Sequence, residues 1–197
     1  MLAAGQKSGV AWGVDPDKEG AVLWEHRIGK GSVTGGIAWG GAADDQIVYF
    51  TNNDGRLGPA EAGGLAAIRL ATGERLWLTR PPISPACEQA AATRGGRGGR
   101  GGGPGCSAGQ PAAPTLIPGV VFSASTDGVM RAYDARDGRV IWDVNTVRPF
   151  QTINGVEGKG GTINGPGPVI VDGILYVTSG YGTFGVAGNV LLAFARE

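Results

Sequence analysis

Three stretches share one pattern: two short apolar runs joined by a polar turn that closes on glycine, with a tryptophan always four residues later. The clearest copy runs Ala132-Tyr133-Asp134-Ala135-Arg136-Asp137-Gly138-Arg139-Val140-Ile141-Trp142. Ala67 to Trp77 repeats it through Gly73, and Gly13 to Trp24 repeats it through Gly20 with one residue inserted in the turn. A hairpin that recurs roughly every 60 residues cannot bury its apolar faces alone and must stack on its own copies, as in propellers and solenoids. The fold class expected is therefore all-β, a partial β-propeller of about three and a quarter four-stranded blades.

Composition agrees with short strands and many turns. Glycine accounts for 38 of 197 residues, and only 17% are charged. Lys plus Arg and Asp plus Glu both total 17, so no global field draws the chain to nucleic acid or to a membrane surface. No apolar run reaches the roughly 18 to 20 residues of a membrane-spanning helix. Met1 to Lys7 lacks a charged-then-apolar leader, so export is not encoded in the residues given.

The first hairpin is expected over Ser8–Val14 and Ala21–Ile28, with no strand before it, so that the chain starts inside a repeat. Gly35 to Gly40 reads as a short strand, followed by Gln46–Thr51, Leu65–Leu70 and Arg75–Thr79. A third unit is Ala113–Ile117, Gly119–Ser125, Val129–Asp134 and Val140–Thr146. A fourth is Pro166–Val171, Ile174–Thr178 and Val190–Ala195. The absence of a tryptophan-bearing fourth strand there makes Glu197 the expected natural end, and Met1 not. His26, the only histidine, has no metal or triad partner nearby and reads as a solvent-facing or packing residue. The run Arg94 to Gly103 cannot bury a core, so residues 88–110 are expected to be a mobile loop inserted in a single domain spanning 1–197. Arg-Gly-Gly runs also occur in RNA-binding tails, but one this short in a neutral chain does not supply clustered charge. Cys87 and Cys106 flank it without C-x-x-C spacing, which leaves either a disulfide at the base of the loop or two free thiols.

The repeats resemble the pyrroloquinoline quinone (PQQ) repeat family, in particular the quinoprotein alcohol dehydrogenases of the polyvinyl-alcohol dehydrogenase type. The likeness is carried by Gly35-Gly36-Ile37-Ala38-Trp39-Gly40, by Gly160-Gly161-Thr162-Ile163-Asn164-Gly165-Pro166-Gly167-Pro168 and by Ser179-Gly180-Tyr181-Gly182 with Gly188 to Phe194. These look like the C-terminal part of such enzymes. Scaffold propellers of outer-membrane assembly carry the tryptophan repeat too. The resemblance implies an eight-bladed parent with PQQ on its axis, a calcium ion at the quinone, alcohol oxidation in the periplasm, and an electron acceptor such as a cytochrome c. It also implies further N-terminal blades. Trp39 matches the tryptophan beneath the cofactor, Lys159 is the candidate cation for its carboxylates, and Gly36, Gly160 and Gly161 allow close approach to a flat ligand. Asn52, Asn53 and Asp54 occupy the place of an oxygen ligand for calcium, or else form a hairpin turn. Trp24, Trp77 and Trp142 are expected to stack on neighbouring blades. No aspartate matches the general base, since Glu88 has different neighbours, so the isolated chain is expected to be inactive. Its bare terminal faces are expected to drive association.

Overall fold

A computed structural model describes residues 1–57, 61–82, 107–181 and 185–196. Among them there is no α-helix, and the strands form four antiparallel sheets plus one extra hairpin. Blade 1 holds β1 (Leu2–Gly5), β2 (Val10–Asp15) and β3 (Ala21–Arg27). Blade 2 holds β4 (Gly41–Ala43), β5 (Ile47–Thr51), β6 (Leu65–Arg69) and β7 (Arg75–Thr79). Blade 3 holds β8 (Thr115–Ile117), β9 (Val120–Ala124), β10 (Val129–Asp134) and β11 (Val140–Asn145). A hairpin of β12 (Pro149–Gln151) and β13 (Glu157–Lys159) precedes blade 4, made of β14 (Val169–Val171), β15 (Ile174–Ser179) and β16 (Val190–Phe194). Within each blade the spatial order follows the chain, as in a meander.

The middle strands are apolar on both faces because each sheet is sandwiched between two others. In β5, Val48 and Phe50 face blade 1 while Ile47 and Tyr49 face blade 3. Three apolar clusters fill the three junctions, and Leu65, Ala66, Ala67 and Ile68 are all fully buried. The first strands β4 and β8 touch each other, which places the first strand of each blade at the inner edge and the fourth at the outer rim.

The repeated tryptophan clamps one blade to the next. Trp24 on β3 donates its indole N–H to the Leu70 carbonyl at 2.7 Å, and Trp77 on β7 donates to the Ala135 carbonyl at 3.1 Å. Each tryptophan packs closely on the turn glycine of the following blade: a Cβ on Gly73 would come within 2.7 Å of Trp24, and one on Gly138 within 2.5 Å of Trp77. Both glycines also sit at φ +73, so the turn needs glycine for its backbone as well as for its space. Trp142 differs. It lies edge-on to Phe194 at 5.5 Å, is 38% exposed, and lines a cavity of about 220 Å³ with Ile117, Phe122 and Leu175.

The structure corrects four expectations. A strand, β1, does precede the first hairpin and pairs along β2 from Leu2–Val14 to Gly5–Ala11. The inner strand of blade 2 is Gly41–Ala43, displaced from the Gly35–Gly40 run, which forms the loop before it. Between blades 3 and 4 the chain makes the extra hairpin. Ser107 to Gln110, read as part of the 88–110 loop, are built into the fold, with Gln110 fully buried and accepting the Gly64 N–H at 2.7 Å. Cys87, Cys106 and Glu88 lie outside the described residues.

A buried polar network ties blade 3 together. Gln110 donates to Ser123 at 2.7 Å and to the Tyr133 hydroxyl at 3.3 Å, and Arg131 pairs with Asp127 at 3.5 Å with both side chains nearly inaccessible. Burial above all pushes the Tyr133 phenol up to about 12, against the pull of the neighbouring Arg131 charge. An unfolded tyrosine ionises near pH 10. The folded state holds this proton more tightly, so its contribution is intact below pH 10 and lost as pH rises through 12. Two units correspond to about 2 to 3 kcal/mol. Urea midpoints are expected to fall between pH 10 and 12, and Tyr133→Phe to flatten that fall; an unchanged pH profile in the variant contradicts it.

Candidate functional site

Alternating strand direction sends two sets of connections to opposite ends of the blades. One end carries only tight turns: 44–46, 118–119 and 172–173 between first and second strands, and 16–20, 70–74 and 135–139 between third and fourth. The connections from β3 to β4, β5 to β6, β7 to β8, β11 to β14 and β15 to β16 all leave from the other end. Chain long enough to build a site is found only at this second end, and Trp39, the Asn52–Asp54 segment and Lys159 all belong to it.

The loop before β4 is moulded on blade 1. The Ile37 N–H donates to the Gln6 carbonyl at 3.1 Å and the Ser32 N–H to the Lys7 carbonyl at 3.2 Å. Ile37 is buried in the first junction, and two residues on Trp39 is 59% exposed. Gly40 follows at φ +118 with open space around the position of a Cβ. Trp39 therefore lies at the inner end of blade 2, just before its first strand. The docked Trp24 and Trp77 sit on fourth strands at the rim.

Asn52, Asn53 and Asp54 do not form a calcium cage. Asp54 is 1% exposed, and its carboxylate is taken up by main-chain donors: Oδ1 accepts from Gly36 N at 2.8 Å and Gly31 N at 3.1 Å, Oδ2 from Lys30 N at 2.8 Å. Asn53 donates its amide to the Thr34 carbonyl, and its Oδ1 points toward Gly109. Asn52 donates to the Gly63 carbonyl at 3.2 Å, and its buried Oδ1, beside Gly29, lacks a hydrogen-bond partner. The oxygens of Asn52 and Asp54 thus turn toward Gly29 and that of Asn53 turns away toward Gly109, so the three do not converge on one point. Among the described residues no group of three or more His, Cys, Asp or Glu side chains is arranged to hold a metal. The segment is better described as a clasp: one buried carboxylate gathers the main-chain N–H groups of Lys30, Gly31 and Gly36 from a single loop.

The glycines assigned to close ligand approach have a different cause. A Cβ on Gly36 would meet the Lys7 carbonyl at 2.3 Å, one on Gly160 the Thr146 carbonyl at 1.9 Å, and one on Gly161 the Val186 carbonyl at 2.2 Å. The chain's own backbone fills the space. Gly161 is also held by Ser179, whose hydroxyl accepts its N–H at 2.8 Å. Lys159 is exposed on β13, with its backbone N–H on the Asn189 side-chain oxygen at 2.8 Å. Trp39 belongs to blade 2 and Lys159 to the hairpin before blade 4, with blade 3 between them in the order of sheets. His26 sits half-buried on β3, its pKa lowered by burial and by the Arg75 charge, consistent with a packing role. The glycine-rich stretches around Gly29–Gly31 and Gly35–Gly36 were a legible sign of the clasp, because they offer unhindered N–H groups to a nearby acid.

Known proteins resemble this arrangement. The PQQ-repeat model described as outer membrane protein assembly factor BamB matches residues 6–157. Polyvinylalcohol dehydrogenase of a Pseudomonas species is 35% identical over 212 residues, covering all of this chain and 30% of the relative. The chain thus spans under a third of the length of the curated relatives it matches. The crystal structure of BamB from Moraxella catarrhalis superposes with a TM-score of 0.53 at 18% identity, over 92% of this chain and 44% of that one. Quinohemoprotein alcohol dehydrogenase ADHIIG from Pseudomonas putida HK5 gives a TM-score of 0.50 at 22% identity, over 83% of this chain and 19% of that one. These two likenesses are likenesses of fold. Among the described residues no helix is long and apolar enough to cross a membrane. The docked blades and the family match over most of the chain lead to one statement: the chain belongs to the PQQ-repeat family of β-propellers, alongside the polyvinylalcohol dehydrogenases.

Proposed function

We propose that the chain is the C-terminal part of an eight-bladed quinoprotein dehydrogenase that oxidises alcohols with PQQ in the periplasm and passes the electrons to an acceptor such as a cytochrome c. The observation that carries this reading is Trp39. Its large apolar ring is 59% exposed beside the inner strand of a blade and belongs to none of the three apolar clusters, so its face is open to a ligand. It fits a planar cofactor, for which the indole face offers a stacking surface. PQQ, when bound, takes up the two electrons that the alcohol gives up. The role of this chain would be to orient the ring system on Trp39, with Lys159 as the cation for a carboxylate. Calcium, if the whole protein uses it, is not held by Asn52, Asn53 and Asp54 as they stand here.

A second reading, a cofactor-free binding or assembly scaffold, is favoured by one specific observation. Gly36, Gly160 and Gly161 are fully explained by self-packing, so the glycine-rich loops by themselves demand no ligand. Equilibrium dialysis separates the two readings. PQQ retention by the wild-type chain is expected to be weak, since one arc supplies only part of the ligand shell. Trp39→Ala should reduce it at least tenfold, with Trp39→Phe keeping most of it. Equal retention by wild type and Trp39→Ala sinks the platform role and leaves the scaffold reading.

A further inference from the structure

We infer that the site end of blades 1 and 2 carries a cationic row that draws an aromatic polycarboxylate to the loop of Trp39. The inference deepens the proposed function and rests on its reading of Trp39, adding the charge and chemical class of what that ring receives. Equal numbers of acids and bases make the chain neutral as a whole, yet its two ends are unlike. At the turn end, bases are matched with acids: Lys18 lies 3.3 Å from Asp15, Arg69 3.1 Å from Glu74 and Arg136 2.7 Å from Asp134. At the site end the cations are tied to neutral oxygens instead. Lys7, on the turn from β1 to β2, donates to the Val33 carbonyl at 3.2 Å. Arg27, the last residue of β3, donates to the carbonyls of Ser8 at 2.6 Å and Gly29 at 3.2 Å. Arg80, just after β7, donates to those of Glu61 at 3.2 Å and Gly63 at 3.3 Å. A carbonyl satisfies a donor without cancelling its charge.

These contacts link the cations into one row. Lys7 precedes Ser8, which holds Arg27; Gly29, also on Arg27, precedes Lys30, whose ammonium meets the Glu61 carboxylate at 2.8 Å; and the Glu61 backbone holds Arg80. The row crosses the junction of blades 1 and 2, and Glu61 supplies the one carboxylate that meets any of its cations. The other acid on these connections, Asp54, is 1% exposed and occupied by main-chain N–H groups. Uncancelled charge of one sign raises the local concentration of anions and their rate of arrival. The row grips the 28–40 loop at Gly29, Lys30 and Val33, and the same loop carries the exposed indole of Trp39. An apolar ring face beside several cations suits a flat aromatic ring with carboxylates on its edge. PQQ is one such molecule, and free aromatic polycarboxylates are others. Lys159, on the hairpin beyond blade 3, is not part of the row.

Equilibrium dialysis of the 197-residue chain against benzene-1,3,5-tricarboxylate and against PQQ tests this, at about 20 mM and about 500 mM salt, between which the screening length falls about fivefold. Retention of the tricarboxylate is expected at the lower salt and its loss at the higher. Lys7→Gln and Arg27→Gln each keep a donor for the carbonyls while removing the charge. Each should lower retention roughly threefold to tenfold, the effect of one charge on a trivalent anion at about 8 to 10 Å in water. Glu61→Gln should raise it by a similar factor, a gain that damage to the fold cannot produce. Lys18→Gln, at the turn end, should leave it unchanged. Three results overturn the inference: no retention of the tricarboxylate at the lower salt, equal retention by wild type, Lys7→Gln and Glu61→Gln, or a loss in Lys18→Gln as large as that in Lys7→Gln. The two readings fail separately. Where Trp39→Ala leaves PQQ retention unchanged but the charge variants still move the tricarboxylate, the platform for PQQ is lost and the cationic row stands, with a polycarboxylate other than PQQ as its ligand. PQQ retention that depends on Trp39 but not on Lys7, Arg27 or Glu61 keeps the platform and sinks the row.

Discussion

Trp24→Ala is expected to lower the stability of the chain by about 3 to 5 kcal/mol, the usual cost of truncating a well-packed aromatic. Three losses coincide at this site. The indole leaves a hole between blades 1 and 2, its 2.7 Å hydrogen bond to the Leu70 carbonyl disappears, and Gly73 is left at positive φ with nothing to cover it. A domain of this size has roughly 5 to 15 kcal/mol in all, so the variant should stand close to unfolding. Trp142→Ala is the internal control. That ring is 38% exposed and docks on no turn glycine among the described residues, so about 1 to 2 kcal/mol is expected. Urea midpoints of the two variants measure the difference, and equal losses would show that the clamp is not what holds the blades together.

Asp54→Ala is expected to cost a similar amount, about 3 to 5 kcal/mol, without changing any response to calcium. Hydrogen bonds to a buried charged group contribute about 1.5 to 3 kcal/mol each, and removing the acceptor strands the N–H groups of Lys30, Gly31 and Gly36. Because those three residues open the loop that carries Trp39, the loss should spread. Trp39 fluorescence is expected to shift along with the melt. The discriminating measurement is a thermal melt of wild type and variant in calcium and in chelator. A clasp gives the same gap in both, whereas a metal ligand gives a gap that closes when the chelator is added.

The parts of the fold legible in the sequence were those where one residue type does a job no other can do. The turn glycine and the tryptophan four residues later are both needed for the clamp, so their spacing announced the blades and the outer-rim place of Trp24 and Trp77. The inner strands were uneven. Gly41-Ala42-Ala43 has little β-propensity and was missed, whereas the inner strands Thr115-Leu116-Ile117 and Val169-Ile170-Val171 of the next two blades are rich in β-branched residues and were legible. Reading the glycines around Trp39 as the strand itself displaced β4 toward the N-terminus. The hairpin before blade 4 has only three residues per strand and an Asn-Gly turn at 154–155, too short for alternation to be seen. At the site, Trp39 stands exposed just before the first strand of blade 2, and the Asn-Asn-Asp segment was ambiguous in kind. Carboxylate and amide oxygens serve equally as metal ligands and as acceptors for backbone, and only the positions of Lys30, Gly31 and Gly36 around Asp54 decide between them.

The separation of the two blade ends has a consequence for how such a chain can change. Every tryptophan clamp is anchored in a third-to-fourth-strand turn, at the end where connections are short and conformationally fixed. The long connections leave from the other end and supply none of the hydrogen-bond acceptors or turn glycines of the two clamps. Lengthening, shortening or rewriting them is expected to leave the clamps in place, because the tryptophan partners are the turn residues Leu70, Gly73, Ala135 and Gly138. A propeller built this way can exchange its chemistry through one end while its mechanical identity is kept at the other. Libraries that vary 28–40 or 146–168 should therefore retain folded members far more often than libraries that vary 70–74 or 135–139.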